Sequence, residues 1–244
     1  MQALGDLLFG SQNRWGKLAY SIYSEDYTLR ELPIPTAHEC GCDGSVAAYK
    51  RCTSCGVGFL NMSMRADRSA PSNNPGRSYK YYNGPNVLWP FAWGLSFTDF
   101  ELHWSGGVAP PAVVLGGTAV DRTAAHTVAV ENTGNLTGDE VVFAFFVPPP
   151  TVPERTAPLR QLYGFQRIAD LAPGETRRIS FPVDPSRLSL VDEAGTRRVY
   201  PGSYQLQFSN GVAVLAGGVV RVLDEAARVV RELPPGTGAV GAMI

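Results

Sequence analysis

The four cysteines are the residues whose types and spacing come closest to a chemical motif. They form two pairs, Cys40 with Cys42 in HECGC and Cys52 with Cys55 in CTSCG. Two thiolates at a Cys-x-x-Cys spacing can bind one tetrahedral zinc ion. Disulfides are nevertheless the favoured interpretation, which export of the protein would support, and a zinc site and free thiols are the alternatives. The sequence leaves a structural zinc site open here and predicts no other cofactor.

No catalytic residue is predicted from the remaining reactive side chains. A thiol nucleophile needs a positioned base, and His38 beside Cys40 is too little evidence for one. His103 and His126 have no metal-ligating neighbours at a useful spacing, so structural roles are expected for both.

Adjacent carboxylates occur three times among the 22 acidic residues, at Glu25–Asp26, Asp139–Glu140 and Asp192–Glu193. Neighbours in an extended segment point to opposite faces, so such pairs cannot converge on one substrate bond. We expect them to lie in solvated turns. Asn61 and Asn135 begin glycosylation sequons, which are usable only if the chain enters the secretory pathway.

Charge and hydropathy exclude several classes of partner. The chain has 21 basic and 22 acidic residues, so neither nucleic acid nor an anionic membrane is indicated. No apolar run approaches the roughly 18 residues of a membrane span. The first residues, MQALGDLLFG, are not a secretory signal and resemble the middle of a helix. That pattern predicts missing upstream sequence and assigns no cellular location.

The elements that would position these residues fall into two differently built halves. A short helix over 2–9, with Leu4, Leu7 and Leu8 on one face, and a strand over 17–23 predict an α/β remnant that cannot close its own core. Seven aromatic residues between Tyr79 and Phe97 form a connector with Gly and Pro breaks. Packing between domains is the default interpretation of these rings, and a sugar-stacking platform is the alternative.

Alternating apolar and polar residues follow the connector. Short segments of period two, separated by Gly and Pro turns, predict an antiparallel sandwich of two sheets in the immunoglobulin-like class. We expect these strands near 126–131, 139–147, 159–168, 176–183, 204–209 and 212–223. A helix is predicted over 224–233 and a loose tail over 234–244.

Four motifs in order resemble the C-terminal part of glycoside hydrolase family 3, the β-xylosidases and β-glucosidases. They are ALGDLLFGSQNRWGKL, NMSMR with NNPGRSYKYYNG, PFAWGLSFTDF, and the run from VENTGNLTGDEVVFAFFVPP to YPGSYQLQFS. The sequence departs from the family at Arg14-Trp15, Ala19 and Ala92-Trp93, and residues 34–59 look like an insertion. The cysteines therefore have no role that the resemblance supplies.

The resemblance implies a domain organisation. Residues 1–72 would be the end of an α/β sandwich domain, 73–111 the aromatic connector, 112–223 a fibronectin type III-like sandwich, and 224–244 a C-terminal helix and tail. The expected fold is thus mainly β, a fibronectin type III-like sandwich preceded by a partial α/β remnant.

The resemblance also implies a function. The complete enzyme would release terminal β-linked xylose or glucose from oligosaccharides with retention, and would be secreted or vacuolar. Its nucleophile and acid/base lie in motifs without a counterpart here, so this chain is expected to be inactive alone. Its partners would be the N-terminal barrel and α/β domains of the same enzyme. A stand-alone module that binds carbohydrate or protein is the alternative.

Overall fold

A computed structural model describes residues 2–25, 27, 64–65, 76–115, 124–154, 156–223 and 228–232. These residues form two compact units, one comprising residues 1–16 with 94–244 and the other residues 17–93. The described elements, in chain order, are one helix, α1 (Gln2–Leu8), and the strands β1 (Ile22–Tyr23), β2 (Val87–Trp89), β3 (Phe100–Trp104), β4 (Val113–Leu115), β5 (Ala124–Asn132), β6 (Gly138–Val147), β7 (Gln161–Leu171), β8 (Thr176–Val183), β9 (Leu190–Val191), β10 (Thr196–Val199), β11 (Gly202–Ser209), β12 (Val214–Val222) and β13 (Arg228–Glu232). A 3₁₀ helix at Pro185–Leu188 precedes β9.

Two sheets form the sandwich in the first unit. One has five strands in the order β4-β12-β11-β6-β7, and the other has three in the order β3-β5-β8. Neighbouring strands are antiparallel except β4, which pairs with β12 in parallel. The predicted mainly β, fibronectin type III-like sandwich is confirmed.

Period-two alternation explains why these segments form strands. In β8, Ile179, Phe181 and Val183 are buried while the residues between them are more exposed, so one face is apolar. In β11, Tyr204 and Leu206 alternate in the same way and are fully buried. The apolar faces of both sheets meet in one core.

Two sequence predictions at the edges are wrong. The strand expected over 17–23 is limited to Ile22–Tyr23, which pairs with β2. Pro90 ends that pairing because it has no N–H to donate to a ladder. The helix expected over 224–233 is contradicted at Arg228–Glu232, which form β13 and pair with β10. The backbone of β10 hydrogen-bonds to this segment, and a local residue pattern cannot predict such long-range pairing.

The second unit is small and is built around aromatic rings. Tyr27 is fully buried, and Tyr23 and Tyr82 pack against it with ring centroids 5.0 and 4.4 Å away. Tyr79 stacks on Phe91 at 4.4 Å. The predicted tail over 234–244 lies outside the described residues.

Candidate functional site

The first unit holds its N-terminal segment through Asn13, a residue that the sequence did not single out. The Asn13 side chain is only 6% exposed. Its Nδ2 donates to Ser96 Oγ at 3.0 Å, and its Oδ1 accepts from the backbone N–H of Phe97 at 3.2 Å. Its carbonyl oxygen accepts from the N–H of Asp139, at the start of β6, at 3.0 Å. A buried amide with these partners fixes the segment on the sandwich.

An ion-pair network continues from this point. Asp139 Oδ2 accepts from Arg167 Nη2 at 2.6 Å and from its Nε at 3.0 Å, so two N–H groups of one guanidinium converge on a single carboxylate oxygen. Asp139 Oδ1 accepts from the N–H of Asp170 at 2.8 Å, and Asp170 in turn binds Arg14 at 2.8 Å. We call Asn13 and Arg14 the N-terminal anchor.

The expectation that Asp139 and Glu140 lie in a solvated turn is wrong. Their exposed fractions are 6% and 2%, and both lie within β6. The two carboxylates nevertheless have different partners, since Glu140 accepts from Asn210 at 3.1 Å while Asp139 binds Arg167. Burial is tolerated because each carboxylate receives hydrogen bonds. These two acids therefore serve the packing of the sandwich.

The other adjacent acidic pairs differ from each other. Asp192 accepts from Arg198 Nε at 2.7 Å and from the N–H of Thr196 at 2.8 Å, and these hydrogen bonds hold the pKa of Asp192 below its usual range. Glu193 is exposed. Of the pair Glu25–Asp26, only Glu25 lies within the described residues, and it is exposed.

The structure does not test the predicted metal and glycosylation sites, which stay predictions. Cys40, Cys42, Cys52, Cys55 and Asn61 lie outside the described residues. Within the part of the chain that the structure describes, no group of three or more His, Cys, Asp or Glu side chains is placed to bind a metal ion. Asn135 is exposed between β5 and β6.

The two described histidines are in contrasting environments. His103 Nε2 lies 3.4 Å from a Glu101 oxygen and 3.8 Å from a Glu131 oxygen on the half-exposed outer face. His126 is 1% exposed in the core, and neither ring nitrogen has a hydrogen-bond partner. Burial lowers the pKa of His126, so the ring is neutral at pH 7.

The aromatic connector is divided between the two units at Trp93 and Gly94. In the second unit, Trp89 is 42% exposed and its ring lies 6.0 Å from that of Trp93. In the first unit, Phe97 is 44% exposed and its ring lies 6.1 Å from that of Trp15. Each unit therefore packs its own share of the rings, and the interdomain role stays a prediction.

A polar cavity of about 410 Å³ opens beside the start of β7 in the first unit. Polar residues of β7, of the 3₁₀ helix and its flanks, and of β10 line it, namely Gln161, Asp184, Ser186, Arg187, Ser189 and Arg197. Asp184 accepts from Arg187 Nε at 3.1 Å and from the N–H of Arg187 at 3.1 Å. Burial raises the pKa of Asp184, but hydrogen bonds from Ser186 and Arg187 outweigh it and lower the pKa overall.

Comparisons with known proteins agree with this architecture. Residues 140–211 match the family model of the fibronectin type III-like domain. The chain is 34% identical over 175 residues to a probable exo-1,4-β-xylosidase of Aspergillus clavatus, covering 68% of this chain and 22% of that protein. It is 32% identical over 218 residues to a probable exo-1,4-β-xylosidase of Aspergillus fumigatus, covering 86% of this chain and 24% of that protein.

Solved structures show the same fold. A family 3 exo-β-xylosidase, XlnD, in complex with a xylobiose aziridine activity-based probe, superposes with a TM-score of 0.66 at 21% identity, covering 96% of this chain and 28% of that one. A β-glucosidase from Paenibacillus barengoltzii gives 0.62 at 22% identity, with 95% and 23% coverage.

The fold and the family model together define a protein that carries a fibronectin type III-like domain. The resemblance of the chain to the C-terminal part of glycoside hydrolase family 3 enzymes, of the β-xylosidase and β-glucosidase type, is confirmed. The chain spans about a quarter of the length of the curated relatives it matches. In the part of the chain that the structure describes, none of the helical segments has the length and hydropathy of a membrane span.

Proposed function

We propose that this chain is the C-terminal part of a retaining, exo-acting β-glycosidase of family 3. The complete enzyme would release terminal β-D-xylose or β-D-glucose from oligosaccharides in carbohydrate catabolism. In this proposal the chain does not catalyse. It holds the catalytic domains in place, and the barrel and α/β domains of the same enzyme are its partners.

The N-terminal anchor is the observation that carries the proposal. Through Asn13 and Arg14, the segment that follows α1 is bound to β6, to the end of β7 and to residues 96–97. By the resemblance, that segment is the end of an α/β domain. The buried amide of Asn13 and the ion pair of Arg14 would hold the residues that precede the anchor in a fixed orientation on the sandwich.

The exposed apolar residues of the same unit support this assignment. Leu4, Leu8 and Phe9 are 60%, 55% and 88% exposed, and Leu95 is 70% exposed. Leu4 and Leu8 lie one turn apart in α1 and Phe9 follows directly, and such a cluster of exposed apolar side chains marks an interaction site. We assign its occupant to the rest of the α/β domain, because α1 belongs by resemblance to that domain and the relatives are about four times longer than the matched region.

The described carboxylates fit a supporting role. Retaining hydrolysis uses two carboxyl groups about 5 Å apart, one attacking the sugar and one protonating the leaving group. Asp139 and Glu140 are the most buried acids described, and each is committed to a partner within the sandwich. Neither is available to attack a glycosidic bond.

A non-catalytic binding module is the second candidate. The half-exposed Trp89, beside Trp93 and the exposed Leu88, is the observation that favours it, because exposed rings suit sugar stacking. An evolved module of this kind would be monomeric and would protect its apolar surface. That behaviour separates it from the enzyme-fragment proposal.

Solution behaviour of the purified 244-residue chain tests the two candidates. We expect self-association, binding of a hydrophobic dye, and no hydrolysis of p-nitrophenyl β-D-xyloside or β-D-glucoside. A triple variant, Leu4→Ser with Leu8→Ser and Phe9→Ser, should reduce both association and dye binding. The control, Val212→Ser with Val214→Ser, changes residues that are 75% and 58% exposed at a strand turn and should leave both unchanged.

A monodisperse wild-type chain that binds no dye would contradict the enzyme-fragment proposal. Hydrolysis by the purified chain would contradict the non-catalytic role.

A further inference from the structure

The polar cavity beside β7 contains a positive charge that is not balanced by a carboxylate among its lining residues. Arg187 and Arg197 contribute two guanidinium groups, and Asp184 is the carboxylate among its lining residues. Asp184 is already bound by Arg187 and by Ser186. Arg197 is exposed on β10, and no carboxylate among the described residues lies within ion-pair distance of it. The lining therefore carries one more positive charge than negative charge.

Donor groups surround the cavity in a form that suits an oxyanion. The Nε of Arg187 donates to Asp184, and its Nη1 makes a weak contact of 3.5 Å with the carbonyl oxygen of Tyr163. The remaining nitrogen, Nη2, has no partner among the described residues. Among the described residues, none accepts a hydrogen bond from the Arg197 guanidinium. A planar guanidinium binds a carboxylate or phosphate through two parallel hydrogen bonds. Gln161 and Ser189 also line the cavity, but their side chains already donate to the carbonyl oxygens of Leu162 and Ser186.

We propose that this cavity is a binding site for a small oxyanion, held chiefly by Arg197 and Arg187. The oxyanion could be the carboxylate of a sugar acid or a phosphate group, since both present the same paired oxygens. The site lies wholly within the sandwich unit, and the proposal does not depend on the glycosidase proposal.

Ligand titration of the ¹⁵N-labelled chain at low ionic strength tests the proposal. Three probes are used: glucuronate, inorganic phosphate and glucose. Glucuronate or phosphate should shift the backbone amides of residues 186–189 and 197 saturably, whereas glucose should not. Binding of glucuronate alone would assign the site to sugar acids, and binding of phosphate alone would assign it to phosphate groups.

Matched arginine variants supply the decisive comparison. Arg197→Gln should weaken oxyanion binding at least about tenfold, the loss expected for one charge-assisted contact. Arg178→Gln is the control, because Arg178 is also exposed on a strand, β8, outside the cavity, and it should leave binding unchanged. Both arginines are exposed, so thermal melting should show both variants folded.

Three outcomes would overturn the proposal. Equal weakening by the two variants would mean non-specific charge attraction. Glucose binding as tightly as glucuronate would mean recognition of hydroxyl groups. Absence of saturable shifts with both anions would mean that the cavity has no oxyanion site.

Discussion

His126 makes the stability of the sandwich sensitive to mild acid. Its ring is 1% exposed between Trp104 and Phe208, with ring centroids 6.3 and 6.4 Å away. The register places Phe181 opposite it, and Gly218 packs against its Cδ2 side. These neighbours carry no charge that could stabilise an imidazolium ion. Burial therefore lowers the pKa of His126 from its ordinary 6.5.

The sign of the pH dependence follows from this lowered pKa. The unfolded chain binds a proton at His126 near pH 6.5, while the folded chain does so only at lower pH. Stability is therefore complete above pH 6.5 and is lost as the pH falls below it. The free energy of unfolding then falls by at most about 1.4 kcal/mol per pH unit, because the unfolded state binds at most one more proton at His126 than the folded state does.

Urea unfolding between pH 8 and pH 5 measures the effect. His126→Leu should remove this part of the pH dependence, and at pH 8 it should stabilise the chain by about 1–3 kcal/mol because two unpaired buried nitrogens are lost. His103→Gln is the control, since His103 is half-exposed beside two glutamates and should leave the slope in place. Glu175 and Asp184, whose pKa values are lowered, lose their stabilising effect only at more acidic pH.

Parallel stability curves for wild type and His126→Leu would refute this reasoning. They would mean that the charged form of His126 is as stable in the folded core as it is in the unfolded chain, where water surrounds it. A His103→Gln curve that flattens instead would assign the proton uptake to the surface histidine.

Two further predictions concern the N-terminal anchor. Asn13→Ala should lower the free energy of unfolding by about 1–3 kcal/mol in urea titrations, since it leaves Ser96 Oγ and the N–H of Phe97 without their partner; an unchanged midpoint would contradict the anchor. Gly138→Ala should destabilise far more than Gly164→Ala in thermal melts. An added Cβ at Gly138 would lie 2.4 Å from Asn13 Nδ2, whereas at Gly164 the nearest atom lies at 3.6 Å, and equal melting temperatures would contradict the packing at Gly138.

The sandwich strands could be predicted from the sequence because their signal is local. A period-two pattern, as in β8 and β11, needs only one apolar face and flanking turns. β13 was missed because its segment has no such alternation and its strand character depends on pairing with β10. At the edge of a sheet, pairing with a neighbouring strand can outweigh the local preference of a segment for helix.

The polar network could not be predicted, because its partners are distant in sequence. Asp139 binds Arg167, 28 residues later, and Glu140 binds Asn210, 70 residues later. Acidic residues are normally exposed, so only the long-range partners reveal that these two are buried. Asn13 binds Ser96 across 83 residues, and nothing in the sequence around Asn13 indicates that contact.

The size of the native polypeptide tests the central proposal most directly. An antibody raised against the sandwich, used on an extract of the cells that produce the protein, would report it on a denaturing gel. The proposal predicts a single band several times larger than the 26.3 kDa of this chain, with β-xylosidase or β-glucosidase activity that the antibody co-precipitates. A band at 26.3 kDa without precipitated activity would contradict the proposal, and ligand binding would then be the leading function to test.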